Sequence, residues 1–407
     1  MVKTISIVTT MDTKGQEASY VAELIRCRGH CPLLVDVSPR GPLTVKADYP
    51  REVVAKAAGV SLPALLSRRR DEIMAEMGRG AGEVLKSLLA QGKLDGVMGL
   101  GGNQGTAIAA IALQALPFGL PKLIVSTVAS GNIRPYIGHK DIVMLFSVAD
   151  FLGGPNTVSR MILTNATGAL LGMIENGVPF ASAGGSRVVA ITALGNTDGA
   201  VTVARELLVA KGYEVIVFHA SGASGSAMEE LITQGMIQSV LDLTTHELLG
   251  EIFGDDIYAP TSGRRLEAAG VTGIPQVVGT GGLEYFCFGP PETIPLKYQG
   301  RLTHYHNPYN TNVRATPEEL ERVGQVLAQK LNGAQGPVAV LVPLRGWTYI
   351  GSPGGILYDP GGNALFLQAL KANLSPQVEL IELDTTLNDP SYAQVAVERL
   401  AQMMSKL

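Results

Sequence analysis

The feature that most constrains this chain is a repeated unit. A short strand rich in β-branched residues runs into a turn of Thr, Asp and Gly, and the following amphipathic helix stops at glycine. The first copy begins at residues 4–8, turns through Thr9-Thr10-Met11-Asp12-Thr13-Lys14-Gly15, and continues in a helix ending at Gly29. That helix carries Ala18, Val21, Ala22, Leu24 and Ile25 on one stripe, the spacing of a single buried face. Glycine just past the last turn tolerates the left-handed backbone that ends a helix. Further strands are predicted at 32–37, 96–100, 122–126 and 142–146. At 187–192 the same programme restarts with the turn Ala193-Leu194-Gly195-Asn196-Thr197-Asp198-Gly199, a helix over 201–211 and a stop at Gly212. Strands then follow at 214–218, 238–241, 276–278, 338–342 and 379–383. Successive strands joined through helices run parallel, so the alternation predicts an α/β fold with mostly parallel sheets. A length of 407 residues exceeds the roughly 250–300 at which one core divides. Two Rossmann-like domains are expected, at 1–180 and 187–407, with the marks of an internal duplication. Residues 177–186 have the composition of a linker.

Glycine is abundant, at 48 residues, and it clusters at the turns. The strongest cluster is Leu100-Gly101-Gly102-Asn103-Gln104-Gly105-Thr106, between a strand and an Ala/Ile/Leu helix over 107–116. Glycines let the backbone approach a ligand, and free N–H groups at a helix start attract anions. The segment is neither a Walker A loop nor a G-x-G-x-x-G fingerprint. A tight turn with close helix packing explains the same glycines without a ligand. Three other turns occupy matching strand ends: the one carrying Asp12, Thr13 and Lys14, the one carrying Ser130, Gly131 and Asn132, and Gly279-Thr280-Gly281-Gly282-Leu283-Glu284. Open α/β sheets bind ligands beyond the carboxyl ends of their strands. Gly101, Gly102, Asn103, Gly105 and Thr106 are therefore expected to join the first two sets around a phosphate, in a crevice between the domains. Asp36, at the end of the second strand, suits either a ribose hydroxyl or the cap of the Ser38-Pro39-Arg40 turn.

Ionisable groups that suit chemistry sit mostly in the second half. His219 and His246 end predicted strands, Glu284 lies in a glycine turn, and Arg345 follows a strand beside the single Trp. These four are the candidate catalytic residues, with Asp242 as a further neighbour. Metal coordination by them has no HExxH or similar spacing behind it. His304-Tyr305-His306 presents both rings on one face if it is a strand, and surface packing if it is a loop. The glycine-rich run 351–363 is expected to form a lid-like loop. The three cysteines, Cys27, Cys31 and Cys287, are too few for a disulfide framework and suit core or turn positions. No Cys/His pair or nucleophile elbow is visible in the sequence. A net charge of −4 offers no basic face for nucleic acid, and Arg68-Arg69-Arg70 suits a solvated helix end. The absence of a long apolar run argues against a membrane span, and a first strand beginning beside Met1 leaves no room for a signal peptide. A cytoplasmic protein is expected.

Taken in order, Asp12-Thr13-Lys14-Gly15, Gly101 to Thr106, Val128-Ala129-Ser130-Gly131-Asn132, Phe146-Ser147-Val148-Ala149-Asp150, and the turns at Leu194–Gly199 and Gly281-Gly282 form a set. That set resembles the ATP-binding domain shared by the tomato mosaic virus resistance protein and its uncharacterised microbial relatives, along the whole chain. The resemblance implies two Rossmann-like domains, ATP and Mg²⁺ held mainly by the N-terminal turns, and a homodimer. Three functions follow as expectations. The first is a nucleotide-binding enzyme acting on a small metabolite at the interdomain cleft. The others are a ligand-responsive module without turnover, and a lyase, isomerase or hydrolase of a phosphorylated small molecule.

Overall fold

The computed structural model describes residues 1–178, 187–261 and 263–406. Most of the expected linker, from 179 to 186, lies outside the described residues. The chain divides into two compact units, Met1–Phe180 and Ala181–Leu407.

In the first unit the elements are β1 (Thr4–Thr9), α1 (Met11–Cys27), β2 (Cys31–Asp36), α2 (Arg51–Ala57), α3 (Leu62–Leu66) and α4 (Arg70–Ala90). They continue with β3 (Gly96–Gly101), α5 (Asn103–Gln114), β4 (Lys122–Ser126), α6 (Arg134–Ile137), β5 (Ile142–Phe146) and α7 (Thr157–Glu175). The strands pair in parallel in the order β2-β1-β3-β4-β5. Helices cover both faces, which is why the central strands are apolar without alternation. Ile5, Ile7, Met98 and Leu100 pack under α1 and α7, while Val8, Val97 and Ile124 pack under α2, α4 and α5. Full burial of each such side chain stabilises the fold by about 1.5–3 kcal/mol. The winding reverses between β1 and β3, so the turns that leave those strands diverge and open a crevice at their carboxyl ends.

The second unit runs β6 (Val188–Ala193), α8 (Asp198–Ala210), β7 (Glu214–His219), α9 (Ala223–Thr233), β8 (Ser239–Thr244), α10 (Glu247–Phe253), α11 (Ala268–Thr272) and β9 (Gln276–Gly281). A ribbon follows, of β10 (Tyr285–Phe288), β11 (Thr303–Asn307) and β12 (Asn310–Arg314). The unit closes with α12 (Pro317–Asn332), β13 (Val338–Pro343), α13 (Pro360–Asn373), β14 (Glu379–Leu383) and α14 (Pro390–Met404). Its parallel sheet has the order β14-β13-β9-β8-β6-β7. Counted from β6, the first five strands are wound as in the first unit, so the restart in the sequence corresponds to a repeated topology. The antiparallel sheet β10-β12-β11 is an insertion that the sequence pattern does not announce. β8 and β9 also extend further than expected, because polar residues such as Asp242 and Thr280 remain buried inside the sheet.

Asp242 remains buried because a cation meets it. Arg265, 1% exposed, donates to both Asp242 carboxylate oxygens at 3.0 Å and also to Glu247 and Glu229. This knot ties the segment after α10 to the end of β8. Burial raises the Glu229 carboxyl above its ordinary range, against the pull of Arg265. The expected lid is instead packed: Leu357 is fully buried, its N–H bonds to the Ile350 carbonyl at 2.9 Å, and Asp359 caps α13. Apolar contact beneath the glycines pins that loop.

Candidate functional site

At the switch point of the first sheet lies a cleft of about 610 Å³. Thr10, Asp12, Thr13 and Lys14 line it from the turn after β1, and Gly102, Asn103, Gln104 and Gly105 from the turn after β3. Arg40, Arg68 and Arg70 with Ile73 and Met74 form the facing wall. Two helices begin here, and they differ. The start of α1 is occupied: Met11 N–H donates to Asp36 Oδ1 at 3.2 Å, and Asp12 N–H to Ser38 Oγ at 3.1 Å. The start of α5 has no side-chain cap, and the first amides of a helix have no acceptor within it. Those amides, at Asn103 to Gly105, face the cleft with the positive end of the helix dipole.

Gly101 and Gly102 have separate jobs. A Cβ on Gly101 would overlap the Thr106 nitrogen and the Gly105 backbone, so this glycine allows strand and helix to meet. A Cβ on Gly102 would meet only Thr127 Oγ1, at 3.7 Å. Thr106 is fully buried and its hydroxyl contacts Ser126 Oγ at 2.7 Å, so it fastens the helix to β4. Asp36 is likewise fully buried, accepting from the N–H and hydroxyl of Ser38 and from Met11 N–H. Burial raises its carboxyl above the usual range despite these bonds. The structure thus gives Asp36 the turn-capping role and not a place on the cleft wall. Ser130, Gly131 and Asn132 are exposed and do not line the cleft, and Asn132 Oδ1 accepts from Arg134 N–H at 3.1 Å. Lys14, 13% exposed, donates to the Phe151 carbonyl and lies 4.0 Å from Asp150.

Arg68 and Arg70 are the residues that sequence reasoning set aside. Placed at the start of α4, they turn a solvated helix end into a cationic wall. Arg70 pairs with no carboxylate among the described residues, whereas Arg69 is bound to Asp71. A run of three arginines directly before an amphipathic helix was the available signal.

The second sheet has its own switch point, between β6 and β8. A polar pocket of about 80 Å³ opens there, lined in part by Asn196, His219, Tyr258, Tyr285, Cys287 and His306. The Asn196 side chain reaches it from the turn after β6 and donates to Tyr285 Oη at 3.1 Å. His219 and His246 flank Tyr258, with ring centroids 6.2 and 5.8 Å from it. His304 and His306 lie on β11 with centroids 5.9 Å apart, so the strand reading of that segment holds. His246 and Asp256 are fully buried, with Nε2 and Oδ2 3.2 Å apart. Cys287 completes the group: one ligand-type atom from each of the three residues lies within 4.8 Å of the others. Burial disfavours the imidazolium of His246, but Asp256 and Cys287 outweigh it and hold the ring well above its ordinary range. Burial pushes the Cys287 thiol up, with His246 opposing.

A buried Cys/His contact therefore exists where the sequence showed none, because residues 246, 256 and 287 converge only through the β10 insertion. Glu284 does not line the pocket. It is buried behind it, accepting from the Thr348 hydroxyl, and burial raises its carboxyl. Arg345 is elsewhere again, 59% exposed and paired with Asp384 through two bonds of 2.7 Å.

These features define a two-domain α/β protein with a polar crevice at the switch point of each sheet. The chain belongs to the family described as uncharacterised protein family UPF0261, whose N-terminal domain matches residues 3–179 and C-terminal domain residues 186–404. A UPF0261 protein of Clostridium tetani is 38% identical over 408 residues, covering 100% of both chains. One from Rhizobium meliloti is 38% identical over 97% of this chain and 98% of its own. The ToMV resistance protein Tm-1 of Solanum lycopersicum is 37% identical over 77% of this chain, which is 42% of its own length. The tomato proteins are thus partial relatives within a wider family. Among the described residues no helix is long and apolar enough to cross a membrane.

Proposed function

We propose that the first domain binds a phosphate-bearing ligand, with ATP as the expected nucleotide, over the open start of α5. One observation carries this reading: uncapped helix amides face a cleft whose cations are Lys14, Arg40, Arg68 and Arg70. Helix amides and a dipole favour an anion, and surrounding cations strengthen the preference. The cleft volume is within the range of small-molecule sites, and Ile73 and Met74 offer apolar wall for a base. Asp12 is the carboxylate that lines this cleft. Mg²⁺ ordinarily takes one or two carboxylates with phosphate oxygens, so Asp12 fits as its protein ligand. The resemblance that suggests ATP and Mg²⁺ also suggests a dimer, which belongs to this proposal together with the cytoplasmic setting expected from the sequence.

Thermal shift and calorimetry with ATP, ADP, NAD and sugar phosphates, each with and without Mg²⁺, test it. ATP should raise the midpoint, since a ligand at 100 times its Kd stabilises by about 2.7 kcal/mol. Response to sugar phosphates alone would replace the nucleotide with a phosphorylated metabolite. The histidine-bearing pocket of the second domain favours turnover of a small molecule over a module that only senses its ligand. Turnover of ATP lost in His219→Ala would support that choice, and unchanged turnover would oppose it.

A further inference from the structure

We propose that His246, Asp256 and Cys287 form a divalent transition-metal site in the second domain, selective for zinc and retaining one exchangeable position toward the adjacent pocket. The inference is independent of nucleotide binding in the first domain.

The argument begins with His246. Its Nδ1–H donates to the Gly282 carbonyl at 2.7 Å, which leaves Nε2 as the ring atom facing the cluster. Nε2 is buried and has no hydrogen-bond partner, although Asp256 Oδ2 is 3.2 Å away. Two such atoms 3.2 Å apart need positive charge between them, either a proton on Nε2 or a bound cation. The sulfur of Cys287 converges on the same point, within 4.8 Å of both. A proton joins two of these atoms, whereas a cation joins all three. Around a tetrahedral zinc, such ligand atoms are about 3.3–3.8 Å apart. Closing the group on the ion therefore asks for side-chain movements of about 1 Å or less.

The surroundings fit the same reading. A metal-bound histidine usually donates its other N–H to a carbonyl or carboxylate, as His246 does. The Asp256 carboxylate is held by the N–H groups of Tyr258 and Cys287, each at 2.7 Å. Asn312 Nδ2 donates to Cys287 Sγ at 3.1 Å, a bond that favours thiolate as acceptor. Zinc with one thiolate, one carboxylate and a neutral imidazole leaves no net charge in a fully buried place, where net charge is costly. The mixed nitrogen, oxygen and sulfur set suits zinc better than magnesium or calcium. Cys287 lines the pocket of about 80 Å³, so the fourth position is open to water or an anionic oxygen of a small ligand. His219 and His306 line the same pocket.

Full-length protein stripped with a chelator and titrated with Co²⁺ alone provides the test. Saturation at one cobalt per chain is expected, with sulfur-to-cobalt charge-transfer absorption in the near ultraviolet that added Zn²⁺ bleaches. Cys287→Ser, its fold checked by circular dichroism, should lose that absorption. Asn312→Ala should keep it with affinity lowered about tenfold or more, as for other supporting residues of metal sites. Wild-type protein that stays folded and shows no charge-transfer band overturns the proposal. So does a band that survives Cys287→Ser.

Discussion

Two glycines and one aspartate show how much depends on a single position in the first domain. Gly101→Ala drives a methyl into the backbone of Gly105 and Thr106. Forced contacts in a packed site cost about 1–3 kcal/mol, so chemical denaturation should reveal a loss of that size. A side chain at Gly102 makes only an ordinary contact with Thr127 Oγ1, so Gly102→Val should preserve stability while weakening ATP binding measured by calorimetry. Unchanged affinity would make the loop a packing turn only. Asp36 caps α1 from inside the protein. Asp36→Ala should lower stability by about 1–2 kcal/mol, the usual worth of a lost cap, and leave nucleotide affinity unaltered. A large affinity loss would restore its ribose-binding role. Its carboxyl is raised on folding, chiefly by burial. The folded state therefore favours its protonated form, and that contribution is fully present below the unfolded value of 3.8 and lost as pH rises through the raised folded value. Asp36→Asn should flatten this part of the stability–pH profile, and a profile identical to wild type would refute the assignment.

Among the elements, the start of α4 and the Arg265 knot carry the clearest consequences. Arg70 is exposed and faces the same cleft as Lys14. Arg70→Ala should reduce ATP affinity about tenfold and weaken its salt dependence, with little change in melting temperature, because exposed charges act through a screened field. Equal salt dependence in mutant and wild type would remove Arg70 from the site. Arg265 is the opposite case, a buried cation whose loss strands Asp242, Glu247 and Glu229. Breaking a buried pair from one side costs about 3–5 kcal/mol. Arg265→Met should show a loss of that order in denaturant titration, and a change below 1 kcal/mol would mean the carboxylates find other partners or protons. These two elements also mark what the sequence made legible. The run Arg68-Arg69-Arg70 was legible as a helix end, but neither the helix over 70–90 that follows it nor its place on the cleft with the glycine turn was. Asp242 was visible at a strand end, but its partner Arg265, 23 residues on, was not.

At the scale of the whole chain, each domain builds its hydrophobic clusters from its own residues, with Ile7 and Met98 in one and Ile191 and Leu341 in the other. A fragment of residues 1–178 should therefore fold cooperatively by circular dichroism and keep its ATP affinity within about threefold of full length; an unfolded fragment would show that the cores depend on each other. Sequence alone determined the class of fold, the parallel sheets and the positions of the turns. Those follow from short-range causes: apolar periodicity, helix stops at glycine, and strands too apolar to face water. It also placed Lys14 and Gly102 in the turns that line the first cleft. Tertiary structure alone decided which polar residues meet. It set Asp36 under a helix instead of beside a ligand, sent Arg345 to Asp384 at the surface, and joined His246 to Asp256 and Cys287. The physical reason is that a strand or helix is fixed by neighbours a few residues away, whereas a site is fixed by the winding of the sheet. The β10-β12-β11 insertion brings Cys287 to the switch point of the second sheet, and no local pattern in its sequence carries that information.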